Sequence, residues 1–209
     1  MKPSDFFEAE ARTRGYELIA GLDEAGRGPL AGPVVSAVVI LPRRFGIAGL
    51  NDSKQVVPAE RERLYRHIVK RAVVAIGLAT EREIDTVNIL QATRLAMFRA
   101  LQALPVTPDF LLLDAVSLPS VRLPQRPIIK GDAFSISIAA ASIVAKVSRD
   151  RLMRDYHRRY PEYNFHSHKG YGTPEHLRLL AVHGPCEAHR QTFRPVADVS
   201  GFEQWEMFE

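Results

Sequence analysis

Apolar residues in this chain fall into short β-like runs separated by segments of helical spacing. Residues 16–24, YELIAGLDE, are mostly apolar and end in two adjacent acids. Residues 32–41, GPVVSAVVIL, are rich in β-branched side chains and follow a Gly/Pro turn; residues 73–80, VVAIGLAT, form a third run, and each predicts a strand. Between them, residues 58–72 carry Leu64, Ile68 and Val69 on one face with Pro58 near the start, which predicts a helix. Residues 81–104 read as one or two helices with a small-residue face at Ile89, Thr93, Ala96 and Ala100. Residues 108–115, PDFLLLDA, predict a buried strand ending on Asp114, and residues 126–132, RPIIKGD, a short strand ending on Asp132. Residues 135–160 predict a long helix, apolar early and basic late. Helices are also expected over 3–14 and 174–183, and residues 199–209 form a tail helix or a frayed end.

Three strands in hairpin-like succession, then helix–strand alternation, point to an α/β fold with a mixed sheet and helices on its faces. Neither a repeat, a low-complexity tract nor a long linker divides the chain. One domain over residues 1–209 is expected, its C-terminal part, from about 160, helical. At 46% hydrophobic residues the chain can bury a sizeable core. The single Cys186 excludes an internal disulfide and fits a reducing compartment, and no apolar leader or membrane span is present. A soluble, cytoplasmic monomer is expected. The net charge of +4 is unevenly placed: residues 128–198 hold 11 Lys and Arg against 7 Asp and Glu, and six of the seven His. A basic half of this kind suits a polyanionic partner, nucleic acid first.

The acids add the chemistry. Asp23, Asp114 and Asp132 each close an apolar segment, and strand-end side chains converge when the strands are neighbours. Clustered carboxylates repel unless cations sit among them. An oxygen-rich, thiol-free cluster suits Mg²⁺ or Mn²⁺, and two such ions activate a water and stabilise a leaving oxygen in phosphodiester hydrolysis. Asp23 and Glu24 are adjacent and on an ideal strand face opposite sides, so a shared site calls for a twist or bulge there. Gly26 and Gly28 make an irregular backbone expected, and Arg27 can lie beside a phosphate. The loose match of Gly26, Gly28 and Ala31 to a dinucleotide-binding turn fails, because Pro29 and Pro33 interrupt the required helix. His166 and His168 lack the partners of a zinc site. Asp150 reads as a salt bridge or cap.

Taken together, GLDEAGRGPLAGPVV, NDSK, EIDTVNILQATRLAM, KGDAFSISIAAASIVAKVSRDRLM, HKGYGTPEHL and HRQTFRPV resemble the signatures of the bacterial ribonuclease HII family. The blocks occur in family order over residues 16–196. The resemblance implies a ribonuclease H-like fold and an endoribonuclease that cuts RNA in RNA/DNA hybrids and 5′ of single ribonucleotides embedded in duplex DNA, leaving 3′-OH and 5′-phosphate ends. It implies Asp23, Glu24, Asp114 and Asp132 as catalytic ligands of two Mn²⁺ or Mg²⁺ ions. Gly26, Arg27 and Gly28 would contact the ribonucleotide, and Tyr171 would recognise the RNA–DNA junction, with Gly170 and Gly172 leaving its ring free to lie on a sugar. Ser53 and Lys54 of the DSK block, and Ser142 and Lys146 four apart on the long helix, are candidate backbone contacts. Ala115 stands where Gly is frequent, and Gln55-Val56 follows DSK where a pair such as Lys-Leu is expected. A hybrid-binding protein without activity is the alternative, and four intact acids argue against it. No protein partner is identified.

Overall fold

The computed structural model describes residues 2–46, 48–51, 53 and 55–201. Five strands are laid down as the apolar runs dictate: β1 Ile19–Ala25, β2 Val34–Ile40, β3 Val73–Ala79, β4 Phe110–Asp114 and β5 Gln125–Ile128. Their order across the sheet is β3-β2-β1-β4-β5. β1 pairs antiparallel with β2 and β2 with β3, whereas β1–β4 and β4–β5 are parallel. The sheet is therefore mixed, as expected, with β1 at its centre. β5 is an edge strand, which is where Pro127 is tolerated because no further ladder needs its missing N–H.

Helices cover both faces. α2 (Pro58–Arg71) and the long α5 (Ile136–Arg159) lie on one face, and α3 (Glu81–Gln102) lies on the other. Alternation along β2 sorts the core. Ala37 and Val39 pack with Leu64, Ile68 and Val144, and Val38 and Ile40 pack with Met97 and Ala100. Two glycines let the helices come close. A Cβ on Gly21 of β1 would lie 2.2 Å from the Ser137 carbonyl carbon of α5, and one on Gly77 of β3 would lie 2.2 Å from the Ala96 oxygen of α3. The short α1 (Phe6–Thr13) supplies buried Glu8, whose Oε1 accepts from the Ser135 hydroxyl at 2.6 Å and the Ser137 N–H at 2.9 Å. That carboxylate ties the N-terminus of the chain to the start of α5.

The stretch read as one or two helices is two segments meeting at Asn88, whose φ of 66° and ψ of 166° break the spiral. Its Oδ1 accepts from the N–H groups of Leu90 and Gln91 and so caps the second segment. The C-terminal part holds a 3₁₀ turn Pro161–Tyr163, then α6 (Phe165–His168), α7 (Pro174–His183) and α8 (Val196–Ser200). Of the tail expected over 199–209, Val199 and Ser200 end α8 and Gly201 follows it, while residues 202–209 lie outside the described residues.

Asp132, expected at the end of a strand, does not end one: β5 stops at Ile128, and Asp132 lies in the first turn of α4, Gly131–Phe134. Lys130 adopts a left-handed conformation, with φ 57°, which turns the chain out of the sheet and into that helix.

Candidate active site

The parallel pairing of β1 with β4 builds the centre of the site. The register runs Ile19–Phe110 to Leu22–Leu113, so Asp23 and Asp114 come one step further along adjacent strands, at the same height. Ile19 and Phe110 pack together on the α5 side, and Leu22 and Leu113 on the α3 side. By alternation both aspartates share the α5 side. Gly131, at the start of α4, donates its N–H to Asp114 Oδ1 at 2.7 Å, which brings the next residue, Asp132, to the same place. Carboxylate oxygens of Asp23, Asp114 and Asp132 all lie within 4.8 Å of one another. Asp23 is buried, and burial, then the charges of Glu24 and Asp114, push its pKa well above the ordinary carboxylate range. Ser142 of α5 hydrogen-bonds it, and the Glu24 N–H donates to Oδ1 at 2.7 Å.

Glu24 stands beside this trio. Its strand pairs with β2 in unbroken register through Ala25–Val35, so the expected bulge at the two acids is absent. Irregularity begins one residue later, at Gly26, where φ is 101°. Glu24 thus takes the other parity of β1. Its Oε1 accepts from Arg27 Nη1 at 3.2 Å, and it opens onto the same groove as Asp114.

That groove has a volume of about 510 Å³ and is lined by Glu24, Gly26, Arg27, Gly28, Ser53, Asp114, Ser142, Lys146 and Tyr171, together with Ala25 and Ile89. Most of the residues singled out from the sequence line this surface, and Asp23 and Asp132 lie buried just behind it, beside Asp114. Lys54 lies outside the described residues. Ser53 is buried, and its hydroxyl shares a 2.9 Å hydrogen bond with that of Ser142. Lys146 Nζ pairs with Asp150 Oδ1 at 2.6 Å, while Arg61 approaches Asp150 Oδ2 at 3.6 Å; Asp150 is a salt-bridge residue of α5. Tyr171 is 42% exposed, with the Lys146 and Arg149 cations each 6.0 Å from its ring centre. Gly28 faces the same ring: a Cβ there would sit 3.9 Å from Tyr171 Cε1.

The glycines around Tyr171 do not serve ring freedom, as the sequence had suggested. Gly170 has φ 83°, and a Cβ would press 2.4 Å from the Ala31 oxygen; one on Gly172 would lie 3.2 Å from Leu30 Cδ1. They allow the Tyr171 loop to pack on residues 30–31, and the Leu30 N–H donates to the Gly170 carbonyl at 2.8 Å.

Two arginines not singled out from the sequence hold this surface together. Arg149 is fully buried and donates to the carbonyls of Ala31, Pro33 and Lys169 at 2.9–3.0 Å. Arg190, also fully buried, donates to the carbonyls of Gly26, Arg27 and Gly32. Carbonyls of the Gly-rich turn are thereby drawn inward. Gly26 must lack a side chain, since a Cβ would lie 2.0 Å from Arg149 Nε. Burial pulls the pKa of Arg190 down to about 9, the nearby charge of Arg149 adding to it. In the sequence both fall within family-like blocks, and Arg149 is spaced on α5 seven residues after Ser142 and three after Lys146, within a buried stripe that ends at Met153.

Comparison with known proteins identifies the family. The family model for ribonuclease HII matches residues 20–196. A ribonuclease HII of Desulfitobacterium hafniense is 56% identical over 190 residues, covering 90% of this chain and 73% of that protein. One from Bacillus licheniformis is 55% identical over 191 residues, covering 91% and 74%. The crystal structure of ribonuclease H2 from Pyrococcus horikoshii OT3 superposes with a TM-score of 0.76 at 26% identity, covering 88% of this chain and 98% of that one. A mixed sheet ending in a carboxylate trio beneath a Gly-Arg-Gly turn, with these relatives, places the chain in the ribonuclease HII family.

Proposed function

We propose that this ribonuclease H, whose family acts on RNA/DNA hybrids with divalent metals, also cuts duplex DNA on the 5′ side of a single embedded ribonucleotide. The observation that carries the reading is one groove lined by Glu24, Asp114, the Gly26–Gly28 turn and Tyr171, with Asp23 and Asp132 buried beside Asp114. Asp23, Asp114 and Asp132 fit a hard divalent ion: their donors are all oxygen, mutually close, and electrostatically costly together without a cation. Glu24 would complete the set from the groove edge. When bound, two Mg²⁺ or Mn²⁺ ions supply an activated water and neutralise charge at the leaving 3′-oxygen.

The chain's own residues do the rest. Ser142 and the Glu24 amide hold the Asp23 carboxylate, and the Gly131 amide fixes one oxygen of Asp114. Arg190 and Arg149 hold the carbonyls of Gly26, Arg27, Ala31, Gly32 and Pro33, so the turn's small residues would meet the sugar. Only a 2′-OH separates RNA from DNA locally, so its reader must be close and polar. Tyr171 offers a half-exposed ring to stack beside that reader.

The experiment uses a duplex with one embedded ribonucleotide and an all-RNA hybrid, each with Mg²⁺ or Mn²⁺. Wild type is expected to cut both and Asp23→Asn neither, while the variant still binds duplex. A stacking contact is worth about 1–3 kcal/mol, so Tyr171→Ala should lower kcat/KM at the single ribonucleotide about tenfold and hybrid cleavage less. Wild-type binding without cleavage would mark a hybrid-binding protein instead. An active Asp23→Asn enzyme would remove the acids from the chemistry, and equal losses on both substrates would remove Tyr171 from junction recognition.

A further inference from the structure

Behind Tyr171 lies a run of buried imidazoles that the groove itself does not use. His168, His176 and His189 are all buried; the rings of His168 and His176 stack at 4.4 Å, and Phe165 closes against all three. Their hydrogen bonds leave one arrangement of protons. The Tyr171 carbonyl can only accept, so His176 Nδ1, 2.9 Å away, carries the hydrogen. In a neutral ring His176 Nε2 is then the acceptor, and it faces His189 Nε2 at 3.1 Å. The other end of the chain agrees independently. The Cys186 N–H points at His189 Nδ1 at 3.0 Å, with the thiol sulfur 3.2 Å away, so Nδ1 accepts and Nε2 donates. Protons thus run in one direction: Cys186 N–H to His189, His189 to His176, His176 to the Tyr171 carbonyl. The same carbonyl also accepts from the Thr173 N–H at 2.8 Å, and the Tyr171 N–H donates to the His168 carbonyl at 3.0 Å.

We infer that His176 is a positioning residue for substrate discrimination: held by His189 as the Nδ1–H tautomer, it fixes the Tyr171 peptide and so the angle of the Tyr171 ring across the groove. Of the two ring-nitrogen arrangements open to a neutral imidazole, only this one supports the loop. The opposite tautomer would set a lone pair against the Tyr171 carbonyl. Burial favours the neutral form, with His176 and His189 both pushed down to about 4. The inference rests on Tyr171 reading the RNA–DNA junction.

Two measurements on the full chain test it. Long-range ¹H–¹⁵N correlation at neutral pH reports each tautomer without any activity. His176 is expected as Nδ1–H and His189 as Nε2–H, and an Nε2–H or charged His176 would overturn the inference. The second reads the ratio of kcat/KM on a single embedded ribonucleotide to that on an all-RNA hybrid. His176→Asn keeps an amide donor where Nδ1 stands, and His176→Leu does not. Leu should lower the ratio about fivefold, the lower end of a stacking contact's worth, and Asn should restore most of it. In a Tyr171→Ala background His176→Leu should leave the ratio unchanged. If Tyr171→Ala lowers the ratio and a folded His176→Leu does not, the positioning role fails while the reading of Tyr171 stands. If Tyr171→Ala itself leaves the ratio unaltered, that reading fails and the positioning role falls with it.

Discussion

Asp23 lies at the end of β1 with Glu24 beside it and Asp114 on the neighbouring parallel strand. Burial and these neighbours raise its pKa, so the folded chain holds the Asp23 proton to higher pH than the unfolded chain. Metal-free stability therefore falls as pH climbs from the unfolded value, about 3.9, through the raised folded one, and the full penalty applies above it. Asp23→Asn carries no such charge. In chelator it is expected to melt higher than wild type at neutral pH, by about 2–4 °C per kcal/mol at this chain length. A lower melting point for the variant would mean that the carboxylate stabilises the fold. The imidazoles act in the opposite direction. His176 and His189 resist protonation down to about 4, while the unfolded chain takes protons below about 6.5. In the Asp23→Asn protein, melting temperature should thus fall between those two values, and removing one imidazole with His176→Asn should flatten the fall.

At the scale of elements, the sheet and its helices touch where side chains are missing. α3 meets β3 at Gly77 and α5 meets β1 at Gly21, each with helix backbone closer than any Cβ permits. Since the obstruction is backbone and not the tip of a flexible side chain, it cannot yield without moving the helix. Gly77→Ala is expected to cost about 1–3 kcal/mol in urea unfolding, the range of an overpacked core. Gly46→Ala, with nothing within 4 Å and no left-handed backbone, is the matched control and should be neutral or slightly stabilising. Equal effects at the two positions would show that the close helix approach carries no energy.

Across the whole molecule, the basic C-terminal half returns to the N-terminal Gly-rich turn through contacts more than a hundred residues apart. Arg149 and Arg190 make most of them. The exposed cations of that half remain for phosphate, and duplex affinity should drop steeply with salt as counterions are released. Lys146 lines the groove but already faces Asp150 at 2.6 Å, so part of its charge is spent within the protein. Lys146→Ala should therefore make the slope of log K against log salt shallower by less than about one unit. A slope unchanged within error would mean that Lys146 does not neutralise a phosphate. Loss of a full unit would mean that its pair with Asp150 opens on binding.

The run of apolar residues in β1 and β4, and the acids that close them, could be read from the chain because burial in a strand is a local, period-two signal. Placement of Asp23 and Asp114 on adjacent strands follows from those runs once the strands are parallel neighbours. Asp132 shows where local pattern stops: an apolar run that reads as a strand turns at Lys130 into a helix, and the carboxylate reaches the trio by a route that periodicity does not encode. The Gly-Arg-Gly turn was legible as an irregular, ligand-facing segment, but not what holds it. Arg149, His176, His189 and Arg190 fall within the family-like blocks, but nothing local marks them as buried, because a guanidinium or an imidazole is exposed by default. Their burial depends on carbonyls and rings delivered by other segments, so only the tertiary structure decides that these polar groups, paired in the interior, shape the surface proposed to meet the substrate.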